Sequence, residues 1–210
     1  PRRAEEILSG MLSDSSKVLP NTVTFNAVMG VWVKSKLPEA AERCSRILGI
    51  MNDMARDGNP SVVPDAISYN TLIRACAYRH GDEAADLAES AYHEMARRYQ
   101  GGERWLKPTT KTYGCLIHVW SRSSRADAGE HAEKHLRELL LQSEMGEVKE
   151  RLRIFEFIAT IQAWQNSGDK RAVYKADGVL HLLLTKFRQT GDVSLRPNAR
   201  LFVPILELLG

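Results

Sequence analysis

The chain has 210 residues, with 29 Lys and Arg against 26 Asp and Glu, a formal net charge of +3 that suits a polyanionic partner without demanding one. Its 3 cysteines, Cys44, Cys76 and Cys115, form no CxxC pair and fall on predicted helix faces, which argues for reduced, structural thiols in an intracellular compartment. No apolar run approaches the ~20 residues that a membrane-spanning helix needs.

The opening "PRRAEEILSGML" is no signal peptide and reads as the tail of a second helix from an earlier hairpin, so the sequence is expected to be cut from a longer array. From residue 20 the chain repeats itself. "PNTVTFNAVM" begins at 20, "PDAISYNTLI" at 64 and "PTTKTYGCLI" at 108, and "PNARLFVPIL" echoes them from 197. Between these phrases Trp32, Cys76, Trp120 and Trp164 recur 44 residues apart, as do Ala40, Ala84, Ala128 and Ala172, then Cys44, Ala88, Ala132 and Ala176. Larger apolar residues keep the same beat in Leu48, Tyr92, Leu136 and Leu180. A fourth copy, opening "LRIFEFIATI", stays in phase although it has lost its proline, and one residue is inserted before the last partial copy. A fixed period of this size is the signature of a repeat architecture.

Each copy divides into two helices. In copy two, Ile67, Leu72, Ile73 and Cys76 recur at helical spacing after the start signal Pro64–Asp65, and "GDEAADLAESAYHEMARRY" places Ala84, Ala88, Ala91, Tyr92 and Met95 on one stripe. Alanines four apart let a neighbouring helix approach closely. Breakers mark the connectors "DGNPSVVPD", "QGGERWLKPT" and "TGDVSLRPN". The expected fold is all-α, one α-solenoid of helical hairpins winding as a right-handed superhelix. It comprises a tail at 1–21, repeats at 22–65, 66–109 and 110–153, a degenerate repeat at 154–198 and a partial repeat at 199–210.

A step of four along each first helix from Asn26 selects Gly30 and Lys34, and in later copies Asn70, Arg74 and Tyr78, then Gly114, His118 and Arg122, then Ile158, Gln162 and Asn166. This face is polar and mildly basic. An amide near the helix start can donate to and accept from a base edge, and cations one or two turns on can meet phosphates. Val23 and Ile67, one turn before the amides, are placed to grip a base between adjacent repeats. The bland readings stand beside these: Asn21, Asp65, Thr109 and Asn198 are all good helix N-caps, and Lys34, Arg74 and Arg122 also suit a solvated face.

Nothing points to catalysis. "HAEKH" puts His131 and His135 one turn apart, but Glu133 is not where a HExxH motif needs its base, and two histidines on a surface helix is the expected reading. There is no glycine-rich phosphate loop and no GxSxG, and no cofactor, metal or small-molecule substrate is implied. Trp32, Trp120 and Trp164 read as core, whereas Trp105 lies in a connector.

The phrases "VTFNAVMGVWVKSK" and "ISYNTLIRACAYRHGDEAADLAESAYHEM", each tied to a following "VPD" or "KP", resemble pentatricopeptide repeats, a family of helical-hairpin solenoids that bind single-stranded RNA in organelles. The resemblance runs from about Asn21 to Gly210. The connectors are longer than the family's, and copy four carries Ile158 where the family places a small polar residue. Tetratricopeptide repeats are less similar, because their hairpins do not open with this phrase. The resemblance implies that the amide position and the last residue of each repeat select a base together. Asn26 with Asp65 looks like the pair that prefers uracil, Asn70 with Thr109 leans toward a pyrimidine, and Gly114 with Arg153 and Ile158 with Asn198 match no standard pair. It implies a non-catalytic, single-stranded RNA-binding protein of a mitochondrion or plastid, acting in RNA processing, stability or translation. The alternative is an interaction scaffold among organellar RNA-processing or ribosomal proteins.

Overall fold

The computed structural model describes residues 1–13, 18–79, 81–144 and 152–209. Among the described residues there are ten α-helices and no strand: α1 (Arg2–Met11), α2 (Thr22–Ser35), α3 (Ala40–Arg56), α4 (Ala66–Cys76), α5 (Glu83–Gln100), α6 (Thr110–Trp120), α7 (Ala128–Glu144), α8 (Ile154–Ser167), α9 (Ala172–Thr190) and α10 (Ala199–Leu209). Short 3-10 turns at Arg104–Leu106 and Val193–Leu195 lie in two of the connectors.

The repeated opening phrase is a helix-start device. Asn21 Oδ1 accepts the Thr24 N–H at 3.0 Å while Thr24 Oγ1 accepts the Asn21 N–H at 3.4 Å. Asp65 and Ser68 exchange the same two bonds at 2.9 and 3.2 Å. In the third copy Thr112 Oγ1 accepts from the Thr109 N–H at 3.0 Å, and in the fourth Glu156 Oε2 accepts from the Arg153 N–H at 3.1 Å. Each such cap satisfies backbone donors that the helix leaves orphaned, and losing one costs about 1 kcal/mol. At the far end α2 and α8 stop at equivalent places, Lys36 and Gly168, both left-handed with φ of 55° and 63°. Copy one holds with lysine a conformation that glycine adopts without strain.

The chain divides into two compact units, residues 1–80 with 86–108 and residues 81–85 with 109–210. In the first, α1 packs on α2, α2 on α3 and α4, and α3 on α4. In the second, α6 packs on α7 and α8, α7 on α8, α8 on α9 and α10, and α9 on α10. A first helix that touches both its own second helix and the next first helix is the α-solenoid arrangement. The small residues make it close-packed. Ala40, Ala84, Ala128, Ala172, Cys44, Ala88, Ala132 and Ala176 are all buried, and so are Trp32, Trp120 and Trp164. The tightest approach is at Gly129 of α7, where a Cβ would lie 2.2 Å from Cδ2 of Trp164 in α8.

The tryptophans are also covered by side chains of the second helices. Arg43 lies over Trp32 at 5.6 Å and Lys175 over Trp164 at 5.4 Å, while His131 stacks on Trp120 with ring centroids 4.1 Å apart. These three partners stand on one beat of the repeat, and Arg125 also lies over Trp120 at 5.3 Å, so a polar side chain covering the indole recurs in three copies. The expectation of two surface histidines on α7 is corrected here. His135 is fully buried, 6.2 Å from the Tyr113 ring, and His131 is half-buried against Trp120. Helix α7 is clasped by α6 and α8, so the stripe Ala128, Ala132, His135 and Leu136 turns inward.

Candidate nucleic-acid interface

The stripe selected from the sequence is partly accessible, as are neighbours such as Ala27 and Val31. Lys34 and Arg74 are exposed and Gly30, Tyr78 and Gln162 are half-buried, while Phe25, Met29, Trp32, Tyr69 and Ile73 beside them are buried. Val23 and Ile67 are 72% and 62% exposed.

The most developed feature joins repeat one to the first turn of α4. Asn26 Nδ2 donates to Asp65 Oδ1 at 3.1 Å, and the Ser68 hydroxyl donates to Asn26 Oδ1 at 2.7 Å. Asp65 Oδ1 also holds the Ser68 N–H. The N-cap of α4 and the amide of α2 are therefore one network, braced by a serine that is fully buried. The cap and the bond from Asn26 both use Oδ1, so the carboxylate keeps Oδ2 as an acceptor and the amide keeps a second N–H as a donor. Ser68 was missed in the sequence, although the signal was there: the same position holds Thr24, Ser68 and Thr112 in the first three copies, as a capping box requires.

Later repeats depart from this plan. Asn70 is half-buried, and its Oδ1 has no hydrogen-bond partner among the described residues. Thr109, half-buried, caps α6. At Gly114 there is no amide, and a Cβ there would lie 3.7 Å from Glu156 Oε1. Glu156 is buried and its Oε1 accepts from Arg153 Nη2 at 2.9 Å, so an ion pair stands at the positions that Asp65 and Ser68 hold at the start of α4. In repeat four Ile158 is half-buried and Asn198 Oδ1 is taken by the Arg200 N–H at 3.1 Å.

The cations differ among themselves. Lys34, Arg74 and Arg122 are exposed with no carboxylate in ion-pair reach among the described residues. The second helices α7 and α9, by contrast, are laced by pairs such as Arg171 with Glu130 at 2.8 Å and Lys175 with Glu133 at 3.5 Å. His118 is half-buried, its ring 5.5 Å from that of Phe155 in an edge-on contact. Burial, then the nearby Arg122 charge, holds its pKa below the ordinary histidine value, so it is neutral at pH 7. It therefore adds no charge to the first-helix face. Phe155, 45% exposed, occupies in copy four the place of Val23 and Ile67, a position the sequence reading passed over.

The chain is similar to two Arabidopsis thaliana proteins. One is a chloroplastic pentatricopeptide repeat-containing protein, 27% identical over 143 residues, which are 68% of this chain and 25% of that protein. The other is a second pentatricopeptide repeat-containing protein, 25% identical over 146 residues, 69% of this chain and 23% of that one. The chain thus spans about a quarter of the length of the curated relatives it matches. No family model matches it. No described helix is long and apolar enough to cross a membrane.

Proposed function

We propose that the chain is a run of pentatricopeptide repeats that binds single-stranded RNA in a mitochondrion or plastid, in the service of transcript processing, stability or translation. The observation that carries this reading is the Asn26–Asp65–Ser68 network. A uracil edge offers an N3–H flanked by carbonyls. The free Asp65 Oδ2 accepts that N–H, and the outward Asn26 N–H meets a carbonyl. Cytosine, with an acceptor at N3, meets the carboxylate with like polarity and is rejected. Val23 and Ile67 flank the base, Asn70 takes a second pyrimidine, and Lys34, Arg74 and Arg122 meet phosphates. On α6 His118 takes the place that Arg74 holds on α4. The similarity to a chloroplastic pentatricopeptide repeat-containing protein supports the organellar setting.

A second reading, a non-catalytic scaffold within an organellar assembly such as a ribosome, is favoured by repeats three and four. There the Arg153–Glu156 ion pair and Ile158 replace the base-reading couple. Filter binding against homopolymers separates the two. The RNA reading expects poly-U to be preferred, and no single-strand binding at moderate salt sinks it for this chain.

A further inference from the structure

Trp105 stands apart from the other tryptophans. It is 55% exposed, whereas Trp32, Trp120 and Trp164 are buried in the hairpins. Its surroundings are built to hold it there. The connector after α5 begins with Gly101 and Gly102, the latter at φ +108°, and folds at once into the 3-10 turn Arg104–Leu106. Backbone bonds close that turn at both ends, Arg104 N–H to the Gly102 carbonyl at 2.9 Å and Leu106 N–H to the Glu103 carbonyl at 2.9 Å. Leu106, the next residue, is fully buried and anchors it. Glu103, just before it, is held by Arg98 Nε at 2.8 Å, and Arg98 Nη1 in turn donates to Asn52 and to the Tyr69 hydroxyl. An indole on such a rigid base meets a ligand without the ordering cost that a loose loop side chain would incur.

The repeat itself tells where this platform lies. Trp105 is four residues before the last residue of its repeat, as Ser61 is before Asp65 and Ser194 before Asn198. The Ser61 carbonyl accepts the N–H of Thr22, the first residue of α2, at 3.0 Å. The Ser194 hydroxyl donates to the carbonyl of Leu152, two residues before α8, at 2.6 Å. This connector position therefore borders the start of the first helix of its own repeat. For Trp105 that is the start of α4, where Ile67 projects, exposed. Exposed Arg104 adds positive charge, its guanidinium 5.6 Å over the Tyr99 ring.

We propose that Trp105 is an additional stacking platform for an unpaired RNA base at the edge of repeat two, adding an aromatic face beside the aliphatic grip of Ile67. The proposal rests on the single-stranded RNA reading above. Aromatic platforms serve every base alike, so Trp105 contributes affinity and leaves base choice to the amide positions.

The test uses oligouridylate as probe and acrylamide, a neutral quencher, as reporter. Because the other three tryptophans are buried, acrylamide reads Trp105. Saturation with oligouridylate is expected to shield that fluorescence. Trp105→Ala should weaken binding by roughly 5- to 150-fold with unchanged thermal unfolding, while Trp105→Phe keeps most of the affinity. If oligouridylate binds and Trp105 stays as open to acrylamide as in the free protein, or Trp105→Ala binds as well as wild type, this inference falls and the RNA reading stands. If the wild-type chain binds no single strand, both fall. Shielding that follows protein concentration without RNA would make Trp105 a protein contact and overturn the proposal.

Discussion

Asn26 and Asp65, 39 residues apart in sequence, share a hydrogen bond of 3.1 Å, and the aspartate that takes it also caps α4. A residue that starts one helix thereby fixes the side chain that would read a base on another. On the proposed reading stability and recognition are coupled through one carboxylate, and substitutions separate them because a cap tolerates several side chains while a base edge does not.

Asp65→Ser is the separating change. Serine caps as well as aspartate and brings a hydroxyl donor, so thermal unfolding should be nearly unchanged while the preferred base moves from uracil toward cytosine by about 1–3 kcal/mol. Binding to oligonucleotides that differ at one base measures it. Asp65→Ala should destabilise by about 1 kcal/mol. If Asp65→Ser leaves base preference untouched while Asp65→Ala unfolds more easily, Asp65 is a cap alone.

Ser68 carries the orientation of Asn26. Removing its hydroxyl leaves Asn26 Oδ1 without its 2.7 Å donor and opens half the capping box, so Ser68→Ala should cost about 1–2 kcal/mol of stability and reduce discrimination between uracil and cytosine. Ser68→Thr should keep both, because Thr24 and Thr112 hold the same place in neighbouring copies. Equal selectivity in the alanine and threonine variants would show that the hydroxyl does not orient the amide.

The architecture was legible because it is written in small residues that must recur wherever helices touch, such as Ala40, Ala84, Ala128 and Ala172. The stripe from Asn26 was legible for the same reason, since helical periodicity fixes which residues share a face. Ser68 was hidden because its role depends on a bond to a residue 42 positions away, which no local pattern announces. His135 misled because Glu133, Lys134 and Arg137 around it suggest a surface helix, whereas α7 is enclosed on one side only and His135 lies on that side. Phe155 escaped notice because copy four has lost the proline that marks the helix start in its siblings.

The exposed cations supply a second measurement. If Lys34, Arg74 and Arg122 each neutralise a phosphate, the triple alanine variant should flatten the slope of log affinity against log salt by about 2, since single strands release roughly 0.7 counterion per contact. Binding of oligouridylate across a salt series reads the slope. An unchanged slope would assign all three to a solvated face.

Packing gives the last prediction. In an exposed helix Gly→Ala gains about 1 kcal/mol from helix propensity. At Gly129 the added methyl would stand 2.2 Å from the Trp164 ring, whose far side is packed and whose face is already held by Lys175. A flat ring has no flexible end to swing away, so α7 and α8 must separate, and overpacking of this kind costs about 1–3 kcal/mol. The strain exceeds the propensity gain. Gly129→Ala should therefore lower the unfolding midpoint, whereas Gly49→Ala in α3, where nothing lies within 4 Å of the new Cβ, should raise it. A stabilised Gly129→Ala variant would mean that α7 and α8 approach less closely than the 2.2 Å overlap implies.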